Sequence, residues 1–216
     1  MTSLPSRRQF LATLGASAGA VALAGCLGTG FPGGSPTPDR TVYVGAYHWG
    51  FVLLDEDGEE RERFTFEPDA TVLIVAFNTS AGGALAELPR AVRDAVPDHE
   101  ALEERNEERV PPPSRGMHEA LEEANDRYPD HSLAVMPSGY NRGQGPMDGP
   151  WDGGMKDGGM MGGGMMLHPI ALPHDAPRPT TAGVRATERG DYTLSCQTYC
   201  GYGHPFMDRD GAFVVR

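Results

Sequence analysis

The sequence predicts an all-β sandwich interrupted by one long insertion, on the strength of three observations. Short segments rich in β-branched and aromatic residues lie at both ends of the region 41–216, and turn residues separate them. The middle of that region, residues 79–166, changes to helical and then to Gly/Met-rich composition. Without this insertion about 90 residues remain, which suits a sandwich with a single core.

The strand segments follow in chain order. Before the insertion, residues 41–54, 62–67 and 70–77 have strand character. The pair Asp57-Gly58 predicts a turn between the first two, and Phe64 and Phe66 share one face of the second. After the insertion, strands are expected at residues 167–172, 184–187, 190–195 and 211–216. These segments make up the predicted domain, 41–216.

The insertion divides into two parts. Helical composition is found at residues 85–95, 99–109 and 117–127. From 137 to 166 the chain is nearly all Gly, Met, Asp and Pro, which cannot bury enough apolar area to offset its ordering entropy. We therefore expect the insertion to be partly helical and partly disordered or loosely folded.

The N-terminus is typical of an exported lipoprotein. Arg7-Arg8 precedes an apolar stretch that is too short to span a bilayer, and the stretch ends in LAGC at Cys26. Residues 1–25 are predicted to be a twin-arginine signal peptide and Cys26 a lipidation site. The Gly/Pro/Ser/Thr-rich residues 26–40 follow as a flexible tether. The expected location is the extracytoplasmic face of the membrane, held by a lipid anchor.

The net charge of the chain indicates which classes of macromolecule it can bind. The net charge is −12, and Lys156 is the only lysine among 18 basic residues. An acid-rich, lysine-poor surface is typical of a halophilic protein, although an ordinary acidic protein would have it too. Nucleic acid is a poor partner because binding phosphates requires a basic face. A basic partner protein is favoured electrostatically.

A ligand cluster near the C-terminus carries the chemistry. Cys196, Cys200, His204 and Met207 follow the spacing C-x3-C-x3-H-x2-M. Two thiolates, an imidazole and a thioether select copper, since zinc prefers further thiolates or imidazoles to methionine. Gly201 and Gly203 are expected to let the backbone turn His204 back towards the sulfurs.

This loop closely resembles the CuA loop of cytochrome c oxidase subunit II and nitrous-oxide reductase. The resemblance implies a cupredoxin-like Greek-key sandwich, two copper ions and one-electron transfer. It also implies a role for each matching residue: bridging thiolates at Cys196 and Cys200, a terminal imidazole at His204, an axial thioether at Met207 and a carbonyl ligand at Thr198.

The remaining imidazole is expected from an upstream strand. Residues 167–173 (LHPIALP) resemble the family segment LH-x-x-A-V-P, which places the ligand at His168. His174 competes with it, but a surface histidine is its simpler interpretation. The histidines of the polar insertion are expected to be solvated: His99, His118 and His131. The segment around Trp49 resembles an aromatic segment of subunit II whose tryptophan helps electrons enter, although a plain core residue is the alternative.

Several other interpretations of the cluster remain open. The two cysteines could form a disulfide, or belong to a thioredoxin-fold copper-delivery protein, but His204 and Met207 and the position before the last strand disfavour both. A mononuclear copper site also fits the spacing. No nucleophile-base pair, phosphate loop or acidic dyad predicts an enzyme acting alone.

Two functions follow. The first is an anchored electron-transfer protein whose partner is another redox protein or a terminal oxidase. The second is a copper-handling protein that captures Cu(I) through thioethers of the insertion and delivers it to an oxidase. The methionines concerned are Met147, Met155, Met160, Met161, Met165 and Met166.

Overall fold

A computed structural model describes residues 37–109, 128–139 and 165–216, with six positions between 117 and 127. The predicted signal peptide, Cys26 and most of the tether lie outside the described residues. So do residues 140–164 of the Gly/Met-rich segment. The predictions that concern these parts therefore remain predictions.

The described residues include nine strands, three unbroken α-helices and one 3-10 helix. The strands are β1 (Arg40–Tyr47), β2 (Gly50–Leu54), β3 (Phe64–Phe66), β4 (Thr71–Asn78), β5 (His131–Pro137), β6 (Leu167–Leu172), β7 (Thr180–Arg185), β8 (Gly190–Ser195) and β9 (Asp208–Val215). The helices are α1 (Gly82–Ala86), α2 (Arg90–Ala95), α3 (His99–Arg109) and the 3-10 turn His204–Phe206. The described positions from 117 to 126 are also helical.

The strands form two mixed sheets. One has the order β2-β1-β4-β7 and the other the order β3-β9-β8-β5-β6. Within them β1 runs parallel to β4 and β3 parallel to β9, while the remaining pairs are antiparallel. This arrangement confirms the predicted all-β sandwich.

Two apolar layers hold the domain together. Between the sheets, alternate strand residues such as Ile74, Leu133 and Phe213 form the main core. The first sheet is also covered on its outer side, where α2 and the link before it place Val92 and Leu88 in a second layer. Each such buried side chain stabilises the fold by about 1.5–3 kcal/mol. The first helices of the insertion are therefore part of the folded domain.

The C-terminal part of the predicted insertion was assigned wrongly. β5 lies inside residues 79–166, yet it occupies an inner place in the second sheet between β6 and β8. Its first five residues are all buried. Met165 is likewise fully buried in the main core, although it was assigned to the loosely folded segment. The long run of Gly, Met and charged residues around β5 hid the strand.

Three boundaries also differ from the prediction. The segment 41–54 is two strands, because a two-residue turn at His48-Trp49 separates β1 from β2. The predicted helix 85–95 is broken before Arg90, where Pro89 cannot supply a backbone N–H within a continuing helix. β7 begins at Thr180, earlier than the predicted 184.

The last strand is tied to the first hairpin, and to the chain just after it, by one half-buried guanidinium. Arg209 on β9 donates a hydrogen bond to the carbonyl oxygen of Phe51 at 2.8 Å. It also donates to the carbonyl oxygens of Arg61, at 3.1 Å, and Glu62, at 2.9 Å. These bonds join the two sheets at the end of the sandwich that carries the ligand loop.

Candidate metal centre

The predicted ligand loop is closed at its base by strand pairing. β8 and β9 are antiparallel neighbours, with Ser195 opposite Asp208. Directly beyond that pair, the N–H of Cys196 donates to the carbonyl oxygen of Met207 at 3.1 Å. The first and last predicted ligands of the loop are therefore held at the spacing of two paired strands.

The three sulfur atoms lie together inside the loop. Cys196, Cys200 and Met207 are fully buried. The two cysteine Sγ atoms are 3.9 Å apart and are not joined in a disulfide. The Sγ of Cys200 lies 3.2 Å from the Sδ of Met207. This is the cluster of soft donors that the spacing predicted.

The other two predicted ligands of the loop face the same sulfurs. Nδ1 of His204, on the 3-10 turn, lies 3.6 Å from the Sγ of Cys200. The carbonyl oxygen of Thr198 lies 3.2 Å from the Sγ of Cys196. All five residues that the loop was predicted to contribute are thus brought together.

The two loop glycines have different physical roles. Gly201 has a φ of 94°, a left-handed conformation that favours glycine, as the predicted tight turn requires. Gly203 has an ordinary φ of −75°, so it is not needed for the turn. A Cβ there would lie 1.6 Å from Cγ of Trp49, which shows that glycine is required by the close packing of the indole.

Trp49 covers the loop from the β1–β2 turn. Its side chain is only 7% exposed, and its φ of 67° is unusual for a bulky residue. Such strain, typically 1–3 kcal/mol, persists where the surrounding structure over-determines it. Here the indole fits against Gly203 and in edge contact with Tyr202, with 6.1 Å between ring centroids.

Ser132 on β5 holds the loop from the opposite side. Its Oγ accepts hydrogen bonds from the backbone N–H groups of Gln197, at 2.8 Å, and Thr198, at 3.0 Å. Its own N–H donates to the Sγ of Cys196 at 3.4 Å. The first turn of the loop is therefore pinned to β5 by three hydrogen bonds.

The upstream imidazole at the sulfurs is that of His131. Its ligand nitrogen and the two cysteine Sγ atoms all lie within 4.8 Å of one another. The strand register explains this position, because Ala134 pairs with Ser195 and so the residues before Ala134 extend over the loop that follows β8. His131 is 2% exposed, which overturns the expectation that it is solvated.

His168, the predicted upstream ligand, lies elsewhere. It is exposed on β6, the edge strand, which pairs with β5 alone among the described strands and so stands one strand further from β8. Pro169 has no N–H to donate to a ladder, which suits an edge strand. His174 is also exposed and makes a 2.8 Å hydrogen bond with Asp130. The structure therefore brings neither histidine to the sulfurs.

A signal for His131 was present in the sequence. Residues 131–135 read HSLAV and match the family pattern H-x-x-A-V, whereas residues 168–172 read HPIAL. The second segment was chosen on its leucine before the histidine and its proline after the pattern. The first was not considered, because His131 was assigned to the polar insertion. Ser132 was missed altogether, because its role depends on a loop that is distant in sequence.

The electrostatics of the cluster favour metal binding. The neighbouring thiol of Cys200 is the largest cause of a lowered pKa at Cys196, and His131 and the backbone groups of Ser132 and Thr198 act in the same direction against the effect of burial. A thiol that readily loses its proton is a ready metal ligand. In addition, Nδ1 of His131 is buried without a hydrogen-bond partner among the described residues. A buried imidazole beside two thiols is a donor set that fits a soft metal ion.

A second histidine stands behind His131. The rings of His48 and His131 meet edge to face, with their centroids 5.4 Å apart. Burial, followed by the influence of His131, lowers the pKa of His48 to about 4. His48 is therefore neutral at physiological pH and belongs to the surroundings of the cluster.

Comparison with known proteins finds similar solved structures, of which three are described below, and no matching sequence. The periplasmic domain of subunit II of cytochrome oxidase from Bradyrhizobium japonicum aligns at 10% identity with a TM-score of 0.39, over 84% of this chain and 86% of that one. A complex of cytochrome c oxidase subunit II in a mixed disulfide with a thioredoxin-like protein aligns at 9% identity with a TM-score of 0.38, over 86% and 87%. A heme-copper terminal oxidase dimer aligns at 10% identity with a TM-score of 0.35, over 97% and 90%.

TM-scores this low do not establish a shared function. No protein-family model matches the sequence, and no curated protein is a significant match. Within the part of the chain that the structure describes, no helix has the length and apolar character needed to cross a membrane. The functional proposal therefore rests on the residues of the site.

Proposed function

We propose that this chain is an extracytoplasmic electron-transfer protein with a binuclear, CuA-type copper centre. The observation that supports it best is the meeting of two buried cysteine Sγ atoms, 3.9 Å apart, with a thioether and two imidazoles at one end of the sandwich. The proposed ligands are His131, Cys196, Cys200, His204, Met207 and the carbonyl oxygen of Thr198.

The chain's own residues suit the site for electron transfer. A thiolate-bridged copper pair supplies a one-electron carrier with its charge spread over several atoms. Ser132 and the Cys196–Met207 backbone bond fix the positions of the sulfurs, which limits movement of the ligands between redox states. Trp49 excludes water from one side of the loop. The donor set leaves little room for a substrate, so we propose a carrier and not an enzyme.

The surface around His204 suits a transient redox partner. Tyr199 is 60% exposed and its ring contacts those of Tyr128 and His204, with centroids 4.9 Å and 5.8 Å away. Phe206 is also exposed, beside Tyr202. Exposed aromatic side chains are common at recognition surfaces. Since the chain is strongly acidic, the proposed partner is a basic redox protein or a terminal oxidase subunit.

Copper delivery is the weaker of the two functions that the sequence suggested. A delivery site must release its ion readily, whereas both thiols and the Met207 thioether are fully buried here. Of the six methionines considered for Cu(I) capture, Met165 belongs to the core and is fully buried. These observations favour electron transfer.

Spectroscopy of the copper-loaded protein tests the proposal. A purple colour and a hyperfine pattern shared equally by two copper nuclei are expected. Replacing Cys200 by Ser should abolish that shared pattern, whereas a mononuclear site would keep a blue, single-copper spectrum. A colourless Cu(I) protein that surrenders its metal to a chelator would support delivery and contradict the proposal.

Membrane attachment through Cys26 is also part of the proposal. The lipoprotein-like sequence before Cys26 supports it. Fractionation of cells expressing the full chain should place it in the membrane pellet, and Cys26→Ala should release it as a soluble extracytoplasmic protein. Retention of the Cys26→Ala variant in the pellet would contradict the anchor.

A further inference from the structure

A large cleft lies directly behind the proposed ligand His131. It encloses about 1060 Å³ between the sandwich and the helices of the insertion. The β1–β2 turn, the end of β4, helix α3 and the start of β5 form its walls. His131 faces both the sulfur cluster and this cleft, and His48 contacts it from the cleft side.

The cleft is strongly acidic. Among the described residues, its charged lining consists of five carboxylates and one guanidinium: Asp98, Glu103, Glu107, Glu123, Asp126 and Arg93. Five carboxylates against one guanidinium leave this lining with an excess of negative charge. A concave wall of one sign concentrates ions of the other sign. The electric field inside the cleft therefore favours binding of a cation.

Buried polar atoms in the wall point to a specific ligand. The Oδ1 of Asn106 and the Nδ1 of His48 are buried without a hydrogen-bond partner among the described residues. Asn106 itself is only 8% exposed. Leaving such groups unpaired destabilises the fold, and a bound ligand that pairs with them would remove that cost. The amide oxygen has lone pairs, and Nδ1 of His48 has one in the tautomer protonated on Nε2, as ligands of a cation require.

Carboxylates and a further imidazole line the same cleft. Asp126 and His99 both belong to its lining, together with His48 and Asn106. Nε2 of His99 lies 3.2 Å from a carboxylate oxygen of Glu103, at the exposed rim. A mixture of imidazole, amide and carboxylate donors suits a divalent transition-metal ion more than Ca²⁺ or Mg²⁺.

We propose that this cleft binds one divalent transition-metal ion, with Cu²⁺ as the favoured ion, through His48 and Asn106 and with help from the carboxylates of the lining. The preference for copper rests on the proposed function, whereas the existence of the cation site does not. Within the described chain, the sulfur cluster is the one preformed group of three His, Cys or acidic ligands. The cleft ion therefore keeps several waters and binds more weakly than the ions at the sulfurs.

The test separates the cleft from the sulfur cluster. In the full chain, the double substitution Cys196→Ser and Cys200→Ser removes the soft site, and near-ultraviolet circular dichroism checks the fold. Titration with Cu²⁺ should then show one bound ion with an axial paramagnetic resonance spectrum and nitrogen coupling from imidazole. Adding His48→Phe should abolish it. His168→Phe, at an exposed histidine outside the cleft lining, is the matched control and should leave it unchanged.

Equilibrium dialysis of chains with intact cysteines gives a second measurement. At saturating Cu²⁺, the His48→Phe protein should bind one ion fewer than either the wild type or the His168→Phe protein. Equal numbers in all three, or equal losses in both variants, would overturn the proposal and indicate binding at surface histidines. If an ion is bound that depends on His48 but the protein shows no paired-copper spectrum, the proposed function is contradicted and the cleft site is not. If the paired-copper spectrum is seen but no bound ion depends on His48, the cleft site is contradicted and the proposed function is not.

Discussion

Strands β5 and β6 are neighbours in one sheet and contain almost the same pattern, yet only one of them reaches the sulfurs. β5 begins with His131 and β6 has His168 as its second residue. The first histidine is 2% exposed and lies beside both cysteines, while the second is exposed on the sheet edge. The difference between the strands is their place in the sheet.

The residue that follows each histidine explains why only β5 can hold the ligand loop. Ser132 uses its N–H on the Sγ of Cys196 and its Oγ on two backbone N–H groups of the loop. Pro169 has neither an N–H nor a hydroxyl and could not make any of these bonds. The lesson is that a ligand motif functions only on a strand that can also hold the loop opposite it.

The largest expected effect comes from the two histidines themselves. His131→Ala should weaken copper binding by at least about 100-fold, since loss of an orienting outer residue alone can cost that much. His168→Ala should leave the affinity unchanged. Competition with a chromophoric copper chelator measures both. A large loss in His168→Ala with none in His131→Ala would restore the sequence-based assignment.

A smaller effect is expected at Ser132. Ser132→Ala leaves the N–H groups of Gln197 and Thr198 without their acceptor and should lower copper affinity by about 10- to 100-fold. Urea unfolding should show a loss of about 1–3 kcal/mol. Ser138→Ala, on the same chain segment but bonded to Thr193, is the control. Equal effects of the two substitutions would show that Ser132 has no special role in holding the loop.

The contact between Trp49 and Gly203 provides a third test. Gly203→Ala would place a methyl group within the indole and should destabilise the protein by about 1–3 kcal/mol. Gly82→Ala, where an added Cβ meets nothing within 4 Å, should change stability by less than about 0.5 kcal/mol. The free energies of unfolding of the two variants, measured in urea, test this difference. A neutral Gly203→Ala would mean that the loop does not require the close approach of Trp49.

The smallest effect is expected at Asp39, which directly precedes β1 at the end away from the ligand loop. A substitution there serves as a control for general loss of stability. Hydrogen bonds from the N–H and then the Oγ1 of Thr71 lower the pKa of Asp39 below its ordinary value of 3.8. Stability from this carboxylate is present above pH 3.8 and is lost as the pH falls through the lower, folded-state pKa. The gap in urea midpoint between wild type and Asp39→Asn should therefore be present at neutral pH and close in acid, with the copper spectrum unchanged.

Much of the fold followed from local pattern. The apolar runs at 41–54 and 70–77 predicted buried strands, and the single helix 99–109 was placed at its observed bounds. β5 was missed because its apolar run is short and its neighbours in sequence are polar or glycine-rich. Strand order, which places β5 between β6 and β8, depends on contacts between residues far apart in the chain.

The site divides in the same way. The loop residues were predictable because they lie within twelve positions and their spacing reflects one tight turn closed by two strands. His131, Ser132 and Trp49 reach the loop through tertiary packing alone. Gly203 shows the limit well, since a glycine in a turn suggests backbone conformation, yet its φ is ordinary and the indole of Trp49 is the reason for it.

The bonds from Arg209 to the first hairpin have a consequence for the timing of folding. They join positions up to 158 residues apart, so this end of the sandwich cannot close until nearly the whole chain is available. Contacts of such long range form slowly because the loop entropy is lost before they are made. During that delay the thiols of Cys196 and Cys200 are not yet buried and are exposed to oxidation. The rate at which this end of the sandwich closes, which stopped-flow refolding measures, therefore sets how long the thiols need protection.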